Sequence, residues 1–167
     1  MRKTTLVVAA VCGMVAFGGV SGSVAGGGTQ VEARGGFAFE PNKLVQSTLA
    51  WHGGDISIGS GDKLTIVSGD EIPGEPHFFT IVNPDEKPQF IQDLFSGGCQ
   101  TCNAALDQHF RGVPSIDVGK PGFGEVGDSV AIPDGESVPV DVTAPAGTML
   151  HFMCSLHTEM QGVMEVR

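Results

Sequence analysis

The sequence predicts an all-β fold: a turn-rich β-sandwich with one long insertion ahead of its last strands. Three observations predict it. The chain holds 25 glycines and 10 prolines, and only 17% of its residues are charged, a composition of many turns rather than of long amphipathic helices. Apolar runs of strand length recur, bounded by Gly, Asp, Asn and Pro. Between about residues 85 and 127 that pattern lapses, which marks the insertion.

In chain order, Arg2 and Lys3 precede an apolar run from Leu6 to about Val20, and Ser23-Val24-Ala25 supplies small residues for a cleavage site. Residues 1–25 therefore read as a secretory signal, too short in its apolar part to span a bilayer comfortably. A retained anchor is the other reading; lipidation at Cys12 is disfavoured by Val11. Residues 26–35 are rich in glycine and read as a flexible linker. Residues 36–167 have the length of one domain. Within it, Phe37 and Phe39 alternate before Pro41. Leu64–Val67 and Phe78–Val82 are strand-like runs. Val138, Val140 and Val142 alternate with Pro139, Asp141 and Thr143, and Pro139 points to a sheet edge. A turn at Ala144-Pro145-Ala146-Gly147 leads into the apolar run Thr148–Cys154, and Gly162–Val166 is a last short strand. Inside the insertion, 89–96 (Phe90, Ile91, Leu94, Phe95) and 102–110 (Ala105, Leu106, Phe110) have spacings that suit short helices. Long connections in compact domains are often functional.

The net charge is −10, and loss of Arg2 and Lys3 with the signal makes the remainder two units more acidic. Such a chain is a poor binder of nucleic acid and of anionic membrane surfaces. A basic partner protein is electrostatically reasonable. The same cleavage removes one of four cysteines, leaving Cys99, Cys102 and Cys154. In an oxidising compartment Cys99 and Cys102 are close enough to pair, which makes Cys154 the odd thiol.

Cys154-Ser155-Leu156-His157-Thr158-Glu159-Met160 places a thiol, an imidazole and a thioether at the end of an apolar strand. Soft sulfur with imidazole suits copper in both oxidation states, and a trigonal set of two histidines and one cysteine with a long axial Met is the blue-copper arrangement. The second histidine has to come from elsewhere. His77, in Pro76-His77-Phe78-Phe79-Thr80, opens a strand, and loops at one end of a sandwich meet in space.

These residues resemble the cupredoxins, the blue copper proteins that include plastocyanin, pseudoazurin and amicyanin. Phe37-Ala38-Phe39-Glu40-Pro41 looks like the family's opening strand. Gly61-Asp62-Lys63-Leu64-Thr65-Ile66-Val67, followed by Pro76-His77, resembles the strand leading to the first copper histidine. Ala144 to His157, then Met160 and Gly162, resembles the ligand loop and final strand, with the short Cys-x2-His-x2-Met spacing seen in amicyanin. The resemblance implies an eight-stranded Greek-key sandwich holding one copper ion. His77, Cys154 and His157 would be equatorial ligands and Met160 axial. The chain would carry single electrons between a redox donor and acceptor outside the cytoplasm, through a surface-near His157. Phe78 departs from the Asn, Ser or Thr that often follows the first histidine in the family.

Rival readings attach to several residues. Met164, on the last strand, reads as core rather than axial ligand. His151 points away from Cys154 by strand alternation. His52, beside Trp51, is the substitute for His77. Cys99-Gln100-Thr101-Cys102 reads first as a local disulfide; a metal site with His109 or a thioredoxin-like redox pair are the alternatives. At the level of function, a copper oxidase or nitrite reductase would call for more histidines than the five present, none of them in a His-x-His pair. A copper-delivery protein and a copper-free scaffold are the remaining classes.

Overall fold

The computed structural model describes residues 28–70, 72–90, 93 and 98–167. The proposed signal segment and most of the helix expected over 89–96 lie outside the described residues. Two sheets face each other. The first contains β1 (Thr29–Arg34), β4 (Ala50–His52), β6 (Lys63–Ser68) and β10 (Ser137–Asp141), in the order β10-β6-β1-β4. The second contains β5 (Asp55–Ile58), β7 (His77–Val82), β8 (Ser115–Ile116), β9 (Ser129–Ile132), β11 (Met149–Cys154) and β12 (Gln161–Val166), in the order β5-β12-β11-β7-β9-β8. A separate ribbon pairs β2 (Phe37–Glu40) with β3 (Leu44–Ser47). The all-β sandwich with its partly helical insertion is thus the fold observed.

Alternation sets which side chains meet between the sheets. Val31 and Ala33, Leu64 and Ile66 come from the first sheet. Phe79 and Ile81, Leu150 and Phe152, Met164 and Val166 come from the second, and all belong to one buried core. Phe79 stacks on Phe152 with centroids 4.2 Å apart and on Phe123 at 5.3 Å. Opposite Phe152 in the register is Gly162. A Cβ there would run into the Phe152 ring and the Gly54 carbonyl, so only glycine lets β11 and β12 pair at this point. Pro139 lies on β10, the edge strand of the first sheet, where its missing N–H breaks no interior ladder.

Two expectations differ from the structure. Thr29–Arg34, within the stretch read as a linker, forms β1, a strand paired with both β4 and β6. Its glycine-rich flanks hide the alternation of Val31 and Ala33, both fully buried, with exposed or half-buried polar neighbours. Phe37 and Phe39 do not open the sandwich. They sit on the outlying ribbon at 57% and 62% exposure, so the opening strand lies before them.

The insertion begins with a short 3-10 turn, Pro84–Glu86, and carries the helix α1 (Gln100–Phe110). Cys99 and Cys102 are joined as a disulfide at its start (S–S 1.99 Å), and the Cys99 sulfur also accepts the Cys102 N–H. Bonded to each other, the two sulfurs are not free to ligate a metal with His109 in this state. The helix docks through buried Cys102, Ala105 and His109, while Phe110, 67% exposed, meets the Phe78 ring edge-on at 5.7 Å. Spacing of three and four puts the first three on one face. Cys102 packs with Val82 and Met153 in a second small core on the outer side of the sheet. With α1 there, β7 is buried on both faces along its whole length, which explains its unbroken apolar run.

Buried Asp128 closes the insertion. Its carboxylate accepts the backbone N–H groups of Val118 (2.6 Å), Gly124 (2.8 Å) and Glu125 (2.7 Å), while its own carbonyl accepts from Ile81 N–H. Among the described residues no helix is long and apolar enough to cross a membrane.

Candidate metal centre

Neighbouring strands bring the sequence-distant donors together. β7 and β11 pair with Cys154 opposite Phe79, and Ser155 N–H donates to the Phe78 carbonyl at 3.0 Å. The end of β11 is thereby fixed against the start of β7, where His77 sits. Beyond Cys154 the chain turns sharply. Met160 N–H donates to the His157 carbonyl, and Cys154 N–H to the Met160 carbonyl, each at 2.9 Å. The loop folds His157 back over the cysteine and buries Met160 completely in the same core cluster as Cys154.

His77, Cys154 and His157 converge, with their ligand atoms within 4.8 Å of one another. Cys154 Sγ lies 3.9 Å from His77 Nδ1 and 3.7 Å from His157 Nδ1, and the two Nδ1 atoms are 3.3 Å apart. The point equidistant from three atoms so spaced lies about 2.1 Å from each, within the ~2.0–2.3 Å typical of first-row metal bonds to imidazole and thiolate. The donors present therefore fit a trigonal centre of two imidazole nitrogens and one sulfur.

At the sulfur a metal ion would have to displace a proton. Burial pushes the Cys154 thiol up to about 11, against the pull of N–H groups from Phe78, His157 and Leu156. The bare sulfur is a protonated thiol at neutral pH, and a metal ion has to supply the charge that stabilises the thiolate. The Phe78 N–H donates to Sγ at 3.4 Å. A backbone donor thus reaches the sulfur although residue 78 has no polar side chain. His77 and Cys154 are fully buried, whereas the His157 side chain is 15% exposed.

Three features have no reading in the sequence. Asp70 Oδ2 lies 2.6 Å from His77 Nε2, and Glu75 Oε1 lies 2.9 Å from His157 Nε2. Burial alone would raise the Asp70 pKa, but hydrogen bonds from His77 and the Ile72 N–H outweigh it and hold the carboxyl below its ordinary range. Trp51 sets its ring edge-on to His77 with centroids 5.7 Å apart. On the opposite face of β7 a polar chain links His109, Ser129, Thr80 and Ser155 through contacts of 2.7–2.8 Å. The acidic residues just before Pro76-His77 are the visible signal for the first; nothing local announces the other two.

The remaining candidates stand apart from the cluster. His52 is exposed at the end of β4. His151 lies on β11 out of phase with Cys154, and burial with nearby Lys87 lowers its pKa. His109 is held by the Val113 carbonyl (2.6 Å) and Ser129, stacked on Phe78 at 4.9 Å, and burial lowers its pKa. Met164 is core on β12.

Among solved structures, the chain is similar to auracyanin A, described as a "blue" copper protein from the green thermophilic photosynthetic bacterium Chloroflexus aurantiacus. Identity is 18%, covering 84% of this chain and 100% of that one, with a TM-score of 0.46. It is similar to an auracyanin from the photosynthetic bacterium Roseiflexus castenholzii (19% identity, 85% and 99% covered, TM-score 0.44). It is also similar to a purple cupredoxin from Nitrosopumilus maritimus (14%, 83% and 99%, TM-score 0.45). No protein-family model and no curated protein matches the chain. The fold is a β-sandwich of two facing sheets, with a histidine opening one strand beside a cysteine ending its neighbour.

Proposed function

We propose that this chain is a type 1 copper protein that carries one electron at a time and has no catalytic activity of its own. The observation that supports this most directly is the convergence of His77 Nδ1, His157 Nδ1 and Cys154 Sγ, with a backbone N–H on the sulfur. These three would hold one copper ion in a trigonal plane, and Met160 would supply a weak axial sulfur. Copper so held supplies a Cu(I)/Cu(II) couple. The protein's part is to keep the donors in one arrangement for both states. β7 and β11 fix His77 and Cys154 from a doubly covered sheet, and the tight 154–160 loop fixes His157 and Met160.

His157 is the donor nearest water, so electrons would enter and leave there, from a redox donor and to an acceptor. A basic partner face suits the acidic chain. Export fits the Cys99–Cys102 disulfide and the signal-like start of the sequence. A copper-delivery role is the alternative, distinguished by labile metal.

The test is the visible spectrum of the purified protein given one equivalent of Cu(II) and then reduced. An intense thiolate-to-copper band that bleaches on reduction and returns on oxidation is the expected result. Copper bound without that band, or lost quickly to a chelator, would overturn the carrier reading in favour of delivery.

A further inference from the structure

Both histidines of the centre meet a carboxylate on the nitrogen that faces away from the sulfur. His77 Nε2 and Asp70 Oδ2 are 2.6 Å apart with both side chains fully buried; His157 Nε2 and Glu75 Oε1 are 2.9 Å apart, partly exposed. An ionised carboxylate can only accept, so each Nε2 carries a proton and donates it. In a neutral imidazole the other nitrogen then holds a bare lone pair. The hydrogen-bond partners thus assign both Nδ1 atoms as acceptors, facing each other across 3.3 Å with the Cys154 thiol as the one donor between them. Opposed lone pairs in a buried site repel unless a cation lies between them.

Both carboxylates come from the single connection between β6 and β7, and that connection is braced. Ile72 N–H donates to the second Asp70 oxygen at 2.8 Å, Gly74 N–H to Asp134 at 2.6 Å, and Glu75 N–H to the Ile72 carbonyl at 3.3 Å. Gly74 has φ of +80°, where a side chain would strain the turn that presents Glu75.

Building on the copper reading above, we propose that Asp70 and Glu75 are the positioning residues of the centre: they turn both imidazoles so that Nδ1 meets the metal, and their charge favours Cu(II) over Cu(I). Ligand histidines held by carboxylates are fixed in tautomer and gain basicity, and loss of such a partner typically costs about 10–100-fold in metal affinity. Negative charge at this distance helps the doubly charged ion more than the singly charged one. The two differ in freedom: Asp70 is sealed inside, whereas Glu75 is one-third exposed and covers the outward edge of His157.

The test uses Glu75→Gln and Asp70→Asn, which keep shape and remove charge, with Glu75→Asp as the conservative variant. For each neutral variant the Cu(II)/Cu(I) affinity ratio is expected to fall about tenfold. That raises the midpoint potential by about 59 mV for one electron. Glu75→Asp should recover part of the shift. In parallel, imidazole nitrogen NMR shifts of the metal-free protein should show His77 and His157 protonated at Nε2. A metal-free wild type with either imidazole protonated at Nδ1, or copper-loaded neutral variants with unchanged potential, would overturn the proposal. If wild type takes up no copper, the copper reading fails, while the NMR measurement still decides how the imidazoles are held.

Discussion

The two faces of β7 use the same strand for opposite ends. On the inner face, His77 shares a pocket with Cys154 and His157, where the donor atoms converge with one thiol proton among them. On the outer face, Thr80 is equally buried, yet every polar group around it pairs off. The Val113 carbonyl takes the His109 Nδ1 proton, so the neutral ring accepts from Ser129, which accepts from Thr80, which accepts from Ser155. Buried polar groups that satisfy one another are scaffold. The donor atoms of His77, Cys154 and His157 instead converge on one point, at a spacing that would fit an ion. The contrast separates site from support without reference to any relative.

The sharpest way to break that contrast is Cys154→Ala. Removing the inner sulfur should abolish the coloured copper species, while far-UV circular dichroism of the metal-free chain stays that of the parent. A variant that keeps its colour would mean the wrong thiol has been chosen.

His109→Ala tests the outer face. It removes two hydrogen bonds and the stacking on Phe78, and should cost about 2 kcal/mol in urea unfolding with the copper band retained. A lost band with unchanged stability would show that the two faces are not separable.

Met160→Leu sharpens the inner side. Its volume is nearly conserved, so stability should move by less than about 1.5 kcal/mol. Copper should stay bound while the potential changes, read by spectroelectrochemistry. An unchanged potential would remove Met160 from the centre.

The smallest effect belongs to Glu86, which ties the start of α1 to the 3-10 turn. Burial would raise its pKa, but hydrogen bonds from Thr101 N–H (2.9 Å), Thr101 Oγ1 (2.8 Å) and Asn83 outweigh burial and leave it lowered. Its folded pKa thus lies below the unfolded one. The stability it contributes is full above the unfolded value near ~4.3 and is lost as pH falls through the folded value. Glu86→Gln should flatten the acid limb of the stability–pH curve, and an unaltered limb would count against this account.

How much is legible in the sequence follows from where the information sits. Cys154, His157 and Met160 announce themselves because three ligand types crowd one loop, and His77 because it opens an apolar strand after a proline. Asp70 and Glu75 look like ordinary turn residues, since their role exists only once the β6–β7 connection closes over the imidazoles. Phe78 reads as a departure in hydrogen bonding to the sulfur; the backbone supplies the donor whatever the side chain, and the ring serves the insertion instead. β1 escapes notice because its glycine flanks outweigh two alternating apolar residues. The docking face of α1 is hidden because a half-cystine, an alanine and a paired histidine form it.

Of the four proposed ligands, only His157 touches water; His77, Cys154 and Met160 are sealed. Under the proposed copper reading, metal would enter by one doorway, beside the Glu75 carboxylate. The speed of loading and the tightness of holding would then be set by different parts of the molecule.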